Sequence, residues 1–265
     1  GEQGMVLQPG TAARIFTGSE IPPGANAVVM QERCIRQGDN VTFEGIPEAG
    51  ANIRPAGQDI QPGRCVAEKG VRLDGRHQGV IASVGINRVK VYRRLRVEII
   101  ATGDELVMQG EICAGGQIYN SNYFIFRGML EALGCDVIFT GIVADTMIET
   151  RAALSLAAER ADLIISSGGV SVGEEDYVKA AVESLGELDL WRLAIKPGKP
   201  LAYGRVGQVP FMGLPGNPGA VLVTFLMIAR PYLLSMLGCN SVEPSYFPVK
   251  SGFTRDKPIA RDEFL

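Results

Sequence analysis

The rhythm of apolar and polar positions changes near Arg93. Before it, short apolar runs are broken by frequent punctuation. Ala27-Val28-Val29-Met30, Asn40-Val41-Thr42-Phe43 and Arg88-Val89-Lys90-Val91-Tyr92 read as strands. Pro22-Pro23-Gly24, Gln37-Gly38-Asp39-Asn40 and Gln61-Pro62-Gly63 read as turns. Only residues 77–84 look helical here, so this half is expected to be mostly β. After Arg93, strands and helices alternate. Residues 95–101 predict a strand. Residues 121–133 carry Ile125, Met129, Ala132 and Leu133 at helical spacing, with Gly134 as the stop. A strand at 137–143, a helix at 148–161, a strand at 162–166 and a helix at 177–185 closed by Gly186 follow. Strands are expected near 190–195, 200–203 and 210–212, then a long apolar helix over 219–237. This order predicts a largely parallel sheet with helices on both faces. From Pro244 the chain turns polar and reads as a linker plus the start of another element.

Composition narrows the function classes. Of 265 residues, 46% are apolar and 21% charged, which is ordinary globular usage. Net charge is 26 − 29 = −3. No broad cationic field exists to attract nucleic acid or an anionic membrane, so an anionic ligand must be held by local donors. The 33 glycines point to tight turns and close backbone approaches. Cys34, Cys65, Cys113, Cys135 and Cys239 form no Cys-x-x-Cys pair, and His77 is the only histidine, which leaves a zinc site almost no ligands. His77, between Arg76 and Gln78, is expected at the surface. Scattered cysteines suit a reducing cytoplasm. The apolar stretch at 220–234, interrupted by Arg230 and Pro231, reads as too short to span a membrane. Gly1-Glu2-Gln3-Gly4 shows neither a secretory pattern nor an initiator methionine.

Candidate chemistry gathers at strand-end loops, where open α/β sheets hold their ligands. Ser166-Ser167-Gly168-Gly169-Val170-Ser171-Val172-Gly173 offers backbone N–H groups and hydroxyls to an oxyanion. A tight strand-to-helix turn is the plain alternative. Glu174, Glu175 and Asp176 follow, and carboxylates beside an anion site call for a divalent cation, unless they simply favour a helix N-terminus. Lys196-Pro197-Gly198-Lys199-Pro200 sets two ammonium groups on a proline-stiffened loop, suited to phosphate or to a solvated turn. Gly213-Leu214-Pro215-Gly216-Asn217-Pro218 opens a helix with small residues. Thr102-Gly103-Asp104-Glu105-Leu106 ends a strand with two acids, of which Asp104 is also a candidate N-cap. Arg14-Ile15-Phe16-Thr17-Gly18 and Arg54-Pro55-Ala56-Gly57-Gln58-Asp59 read alone as turns.

Together, in this order and spacing, these motifs and Gln117-Ile118-Tyr119-Asn120-Ser121-Asn122 resemble the molybdopterin molybdenumtransferase family, MoeA, which includes the C-terminal domain of gephyrin. The resemblance covers about residues 6–240. It implies a MogA-like α/β domain at 93–244, preceded by a β-rich domain at 1–57 and an elongated linker domain at 58–92. The start of a small C-terminal β domain would follow at 245–265. Family members extend beyond both ends of this sequence. They insert molybdenum from molybdate into adenylylated molybdopterin and release AMP, with magnesium. They are homodimers supplied by a MogA-like adenylylating protein. The resemblance assigns active-site roles to Thr17, Asp59, Glu105, Asp145 and Asp176, with Glu105 and Asp176 at the cation. It assigns ligand binding to Ser167, Gly168, Gly169, Ser171, Gly173, Lys196, Lys199, Pro215, Gly216, Asn217 and Pro218. Thr17 and Asp59 would serve the partner subunit's α/β domain. A CinA-like nucleotide hydrolase is the enzymatic alternative, opposed by the β-rich half. A non-catalytic scaffold is the other, opposed by retention of Asp59, Glu105 and Asp176.

Overall fold

A computed structural model describes residues 6–168, 177–254 and 261–264. The chain divides into two compact units, Gly1–Val66 and Ala67–Leu265.

The first unit is held by local backbone contacts. Its β structure is one antiparallel hairpin, β1 (Cys34–Gln37) and β2 (Asn40–Phe43), with Gln37 opposite Asn40 across the Gly38-Asp39 turn. Short turns make up much of the rest, such as Ser19 N–H to the Phe16 carbonyl at 3.0 Å. The strand expected at 27–30 does not form. The Val28 N–H donates to Ala51 at 2.9 Å, and its carbonyl accepts from Asn52 Nδ2 at 2.8 Å. A neighbouring turn has thus taken the groups a ladder would have used. No described residue of this unit is buried.

The second unit opens with α1 (Gly75–Ser83), whose N-cap is Asp74. Asp74 accepts the N–H groups of Arg76 and His77, and the His77 ring packs back on the cap at 2.7 Å. His77 is therefore a half-buried capping-box member, not a free surface residue. The alternating stretch at 88–92 finds no ladder partner and is not a strand. The α/β layer then runs β3 (Arg96–Thr102), β4 (Leu106–Val107), β5 (Ile118–Tyr119), α2 (Ser121–Leu133), β6 (Asp136–Val143), α3 (Met147–Arg160), β7 (Leu163–Ser167) and α4 (Tyr177–Leu185). It continues with β8 (Gly186–Arg192), β9 (Ile195–Lys196), β10 (Pro200–Val206), β11 (Val209–Leu214), α5 (Pro218–Thr224), a π-helical turn (Phe225–Ala229), α6 (Arg230–Met236) and β12 (Asp262–Glu263). Asn120 and Thr146 cap α2 and α3, and Gly134 ends α2 at φ 85°. Gly186, expected to close α4, instead begins β8 opposite Val206.

The main sheet has six strands in the order β6-β3-β7-β11-β10-β8. The first four run parallel, and β10 and β8 pair antiparallel. Side chains alternate between two cores. Val97, Ile99, Leu163, Ile165, Met212 and Leu214 face α2 and the α5–α6 helix. Ile100, Ile164, Ala202 and Phe211 face α3 and α4. The helix from Pro218 to Met236 has 19 residues, long and apolar enough by composition to cross a membrane, contrary to the shorter stretch expected. Its apolarity has a nearer cause: Val221, Phe225, Ala229 and Leu233 are buried in the first core. The π turn precedes Pro231, which has no N–H to continue a regular ladder.

From β3 the chain crosses through α2 to β6 on one side, then returns through α3 to β7 on the other. The strand order reverses there, which opens a crevice at the carboxyl ends of β3 and β7.

Candidate functional site

That crevice holds a cavity of about 340 Å³, within the ~300–1,000 Å³ span of small-molecule pockets. Its lining includes the strand-end loop with Thr102, Gly103 and Glu105. Gly103 sits at φ 141°, and a Cβ there would lie 2.6 Å from Glu105 Oε2. Only glycine lets the Glu105 carboxylate fold back in this way. The Asp104 carboxylate caps no helix. It accepts the Asp145 N–H at 3.3 Å and so ties the β3 loop to the β6 loop. Asp145 lines the same cavity. Glu105 and Asp145 offer carboxylate oxygens, the donor type a hard divalent cation takes. Among the described residues no group of three His, Cys, Asp or Glu is arranged to hold a metal by itself.

Hydrogen-bonding groups line the same cavity: Asn120, Ser121 and Asn122 at the start of α2, Ser167 and Gly168 at the end of β7, and Gly216 and Pro218 at the start of α5. Parallel pairing of β4 and β5 seats the α2 start. Ile118 N–H donates to Glu105 at 2.8 Å and Asn120 N–H to Val107 at 2.9 Å. The two glycine loops are joined directly, Gly168 N–H to the Leu214 carbonyl at 3.0 Å. Asn122 Nδ2 donates to Ser167 Oγ at 2.6 Å and to the Gly216 carbonyl at 2.7 Å. Asn120 is buried; its Oδ1 accepts the Tyr123 N–H at 3.1 Å while its Nδ2 has no partner among the described residues. Leu106, Ile118 and Tyr119, with Tyr177 and Val178 at the start of α4, complete the lining.

The expected site residues fall into four sets. Glu105, Asp145, Ser167, Gly168, Gly216 and Pro218 meet in the cavity. Pro215, Asn217, Lys196 and Lys199 do not line it. Pro215 is buried, and the Asn217 side chain caps α5 by accepting from Gly219 at 3.0 Å and Ala220 at 3.3 Å. The Lys196 ammonium lies 3.4 Å from Glu263 Oε1 on β12, while Lys199 is exposed. Thr17 and Asp59 belong to the first unit, each exposed beside a turn. Gly169, Ser171, Gly173 and Asp176, with Glu174 and Glu175, lie outside the described residues. Thr102, Asn120, Ser121, Asn122 and Tyr177 were given no role from sequence. An asparagine before a helical run, just beyond the acidic loop, was the available signal for the α2 group. Cys135 is no candidate nucleophile, since burial pushes its thiol up to about 11.

Residues 98–235 match the family described as "Probable molybdopterin binding domain", and residues 1–85 match "MoeA N-terminal region (domain I and II)". The chain is 41% identical over 256 residues to a molybdopterin molybdenumtransferase of Haemophilus influenzae, covering 96% of this chain and 63% of that protein. It is 38% identical over 252 residues to one of Nostoc sp., covering 93% and 58%. A solved molybdopterin biosynthesis MoeA protein from Pyrococcus horikoshii superposes with a TM-score of 0.73 at 34% identity, over 91% of this chain and 61% of that one. The chain thus spans about three-fifths of the length of these relatives.

Proposed function

The chain belongs to the molybdopterin molybdenumtransferase (MoeA) family, and from that premise we propose that its protein inserts molybdenum from molybdate into adenylylated molybdopterin and releases AMP. The observation that carries this reading is the cavity at the strand reversal, whose lining combines donors at Asn120, Ser121 and Ser167 with the Glu105 and Asp145 carboxylates. An anionic pterin phosphate suits the donors, and the carboxylates would repel it unless a cation lay between them.

Glu105 and Asp145, together with Asp176, are the residues that would hold magnesium. When bound it would offset charge between these carboxylates and the phosphate oxygens. The chain's own groups orient the substrate. Ser167 and the α2 start hold the phosphate end, and the fold of Glu105 over Gly103 fixes where its negative charge stands. Ser171, Gly169, Gly173, Lys196, Lys199, Pro215 and Asn217 border the same ligand in this reading. Thr17 and Asp59 complete the pocket of a partner subunit in a cytoplasmic homodimer. The substrate comes from a MogA-like adenylylating protein.

The test is AMP release by the full-length protein given adenylylated molybdopterin, magnesium and molybdate. Glu105→Gln is expected to slow release by at least about 100-fold with an unchanged melting temperature. Release at the wild-type rate in that variant, or equally fast without molybdate, contradicts the proposal.

A further inference from the structure

We infer that Asn122 is a positioning residue that turns the Ser167 hydroxyl into a hydrogen-bond donor for an oxyanion of the ligand. The inference rests on the proposed pterin-phosphate site and deepens it. Asn122 is the second residue of α2, and its amide reaches two other elements at once. Its Nδ2 lies 2.7 Å from the Gly216 carbonyl oxygen and 2.6 Å from Ser167 Oγ. A carbonyl oxygen can only accept, so the amide atom facing Gly216 must be the nitrogen, which fixes the orientation of the whole group. The second hydrogen of that nitrogen then goes to Ser167 Oγ. A hydroxyl that accepts from Asn122 keeps its own proton for another acceptor, and no described residue takes it. Ser167 is buried and lines the cavity, where an oxygen of a bound ligand can accept that hydrogen.

The other end of the amide shows what this arrangement costs. Asn122 Oδ1 is buried with no partner among the described residues. An orphaned buried acceptor destabilises a fold. A small apolar side chain would avoid that cost, so the amide serves the site more than the fold. Its two bonds also set the distance between the β7 end and the loop before α5, where Gly168 and Gly216 approach closely. A Cβ on Gly216 would lie 3.8 Å from Gly168 Cα.

Titration of the full-length protein with adenylylated molybdopterin tests this, using Asn122→Ala, Ser167→Ala and the double variant. Each single variant is expected to weaken binding about tenfold, and the double variant by little more than either single, because both remove one coupled donor. Asn122→Asp adds a readout that a purely structural role would not move. Its carboxylate cannot donate: it accepts a hydrogen bond from the Ser167 hydroxyl and faces the Gly216 oxygen. Binding should therefore weaken more than in Asn122→Ala at an unchanged melting temperature, because the hydroxyl hydrogen is directed at the new carboxylate and away from the ligand. Wild-type affinity in Asn122→Ala, fully additive losses, or binding in Asn122→Asp no weaker than in Asn122→Ala overturns the inference alone. Failure of the wild-type protein to bind overturns the functional reading, and this inference with it.

Discussion

The hairpin of the first unit and the central strands of the second are both β structure, yet different forces hold them. In β1 and β2 the apolar side chains stay in solvent, with Ile35 63% and Val41 41% exposed. What holds the pair is its own cross-strand hydrogen bonding and a two-residue turn, a marginal arrangement in water. In β3 and β7, Val97, Ile99, Leu163, Ile164 and Ile165 are at most 1% exposed and are covered on both faces. Alternation makes a segment strand-like, but burial makes it rigid. The difference bears on function. A cavity whose donors must stand within a few tenths of an ångström belongs on the rigid sheet, and that is where it lies. Thr17 and Asp59 stand on exposed turns of the unit without buried residues.

The largest way to test this contrast is inside the sheet. Glu98 is fully buried in β3, where it accepts from Arg160 at 3.0 and 2.8 Å and from Thr140 at 2.8 Å. Arg160→Ala strands that carboxylate and should cost roughly 3–5 kcal/mol, read as a fall of about 10 °C in melting temperature. A loss below about 1 kcal/mol would mean the sheet is not held as described. Next comes the Asp162 clamp, which joins the starts of β3 and β7. Hydrogen bonds from the Arg93 guanidinium, then the Arg96 N–H and side chain, hold its carboxyl well below the usual carboxylate range. A depressed pKa contributes stability that is complete above the unfolded value near 3.9 and is lost as pH falls through the folded value. Asp162→Asn should therefore lose about 1.5–3 kcal/mol at neutral pH and flatten the acid limb of a stability-against-pH curve. An unchanged acid limb would remove Asp162 from the account. The smallest effect belongs to the first unit. Thr17→Ala and Asp59→Ala should each change denaturant stability by no more than about 0.5 kcal/mol while abolishing AMP release by the full-length protein. Variants that unfold instead would give these residues a structural role.

The α/β half was legible because its signals agree. Helical spacing at Ile125, Met129 and Leu133, with Gly134 behind them, marked α2, and apolar runs at 97–101 and 163–165 marked strands buried on both faces. What failed depended on partners that sequence does not name. Residues 88–92 alternate as well as any strand but pair with no strand, and Val28 is satisfied by Ala51 and Asn52. The parallel pair β4–β5 is two residues long on each side and exists only because the chain returns there. At the site, strand-end position drew attention to Glu105, Ser167 and Gly168, because open sheets place ligands at such ends. Asn122 was missed because its importance lies in contacts 45 and 94 residues away. Lys196 and Lys199, singled out by charge, a proline-stiffened loop and the family resemblance, stand outside the cavity lining, with Lys196 beside Glu263.

The most direct measurement compares affinity for adenylylated molybdopterin between the full-length protein and residues 67–265 alone, by isothermal titration. If the rigid sheet carries the binding site unaided, the two dissociation constants should agree within about threefold, a difference near 0.7 kcal/mol. Binding by the full-length protein with none detectable for residues 67–265 would contradict the assignment of the cavity to that unit.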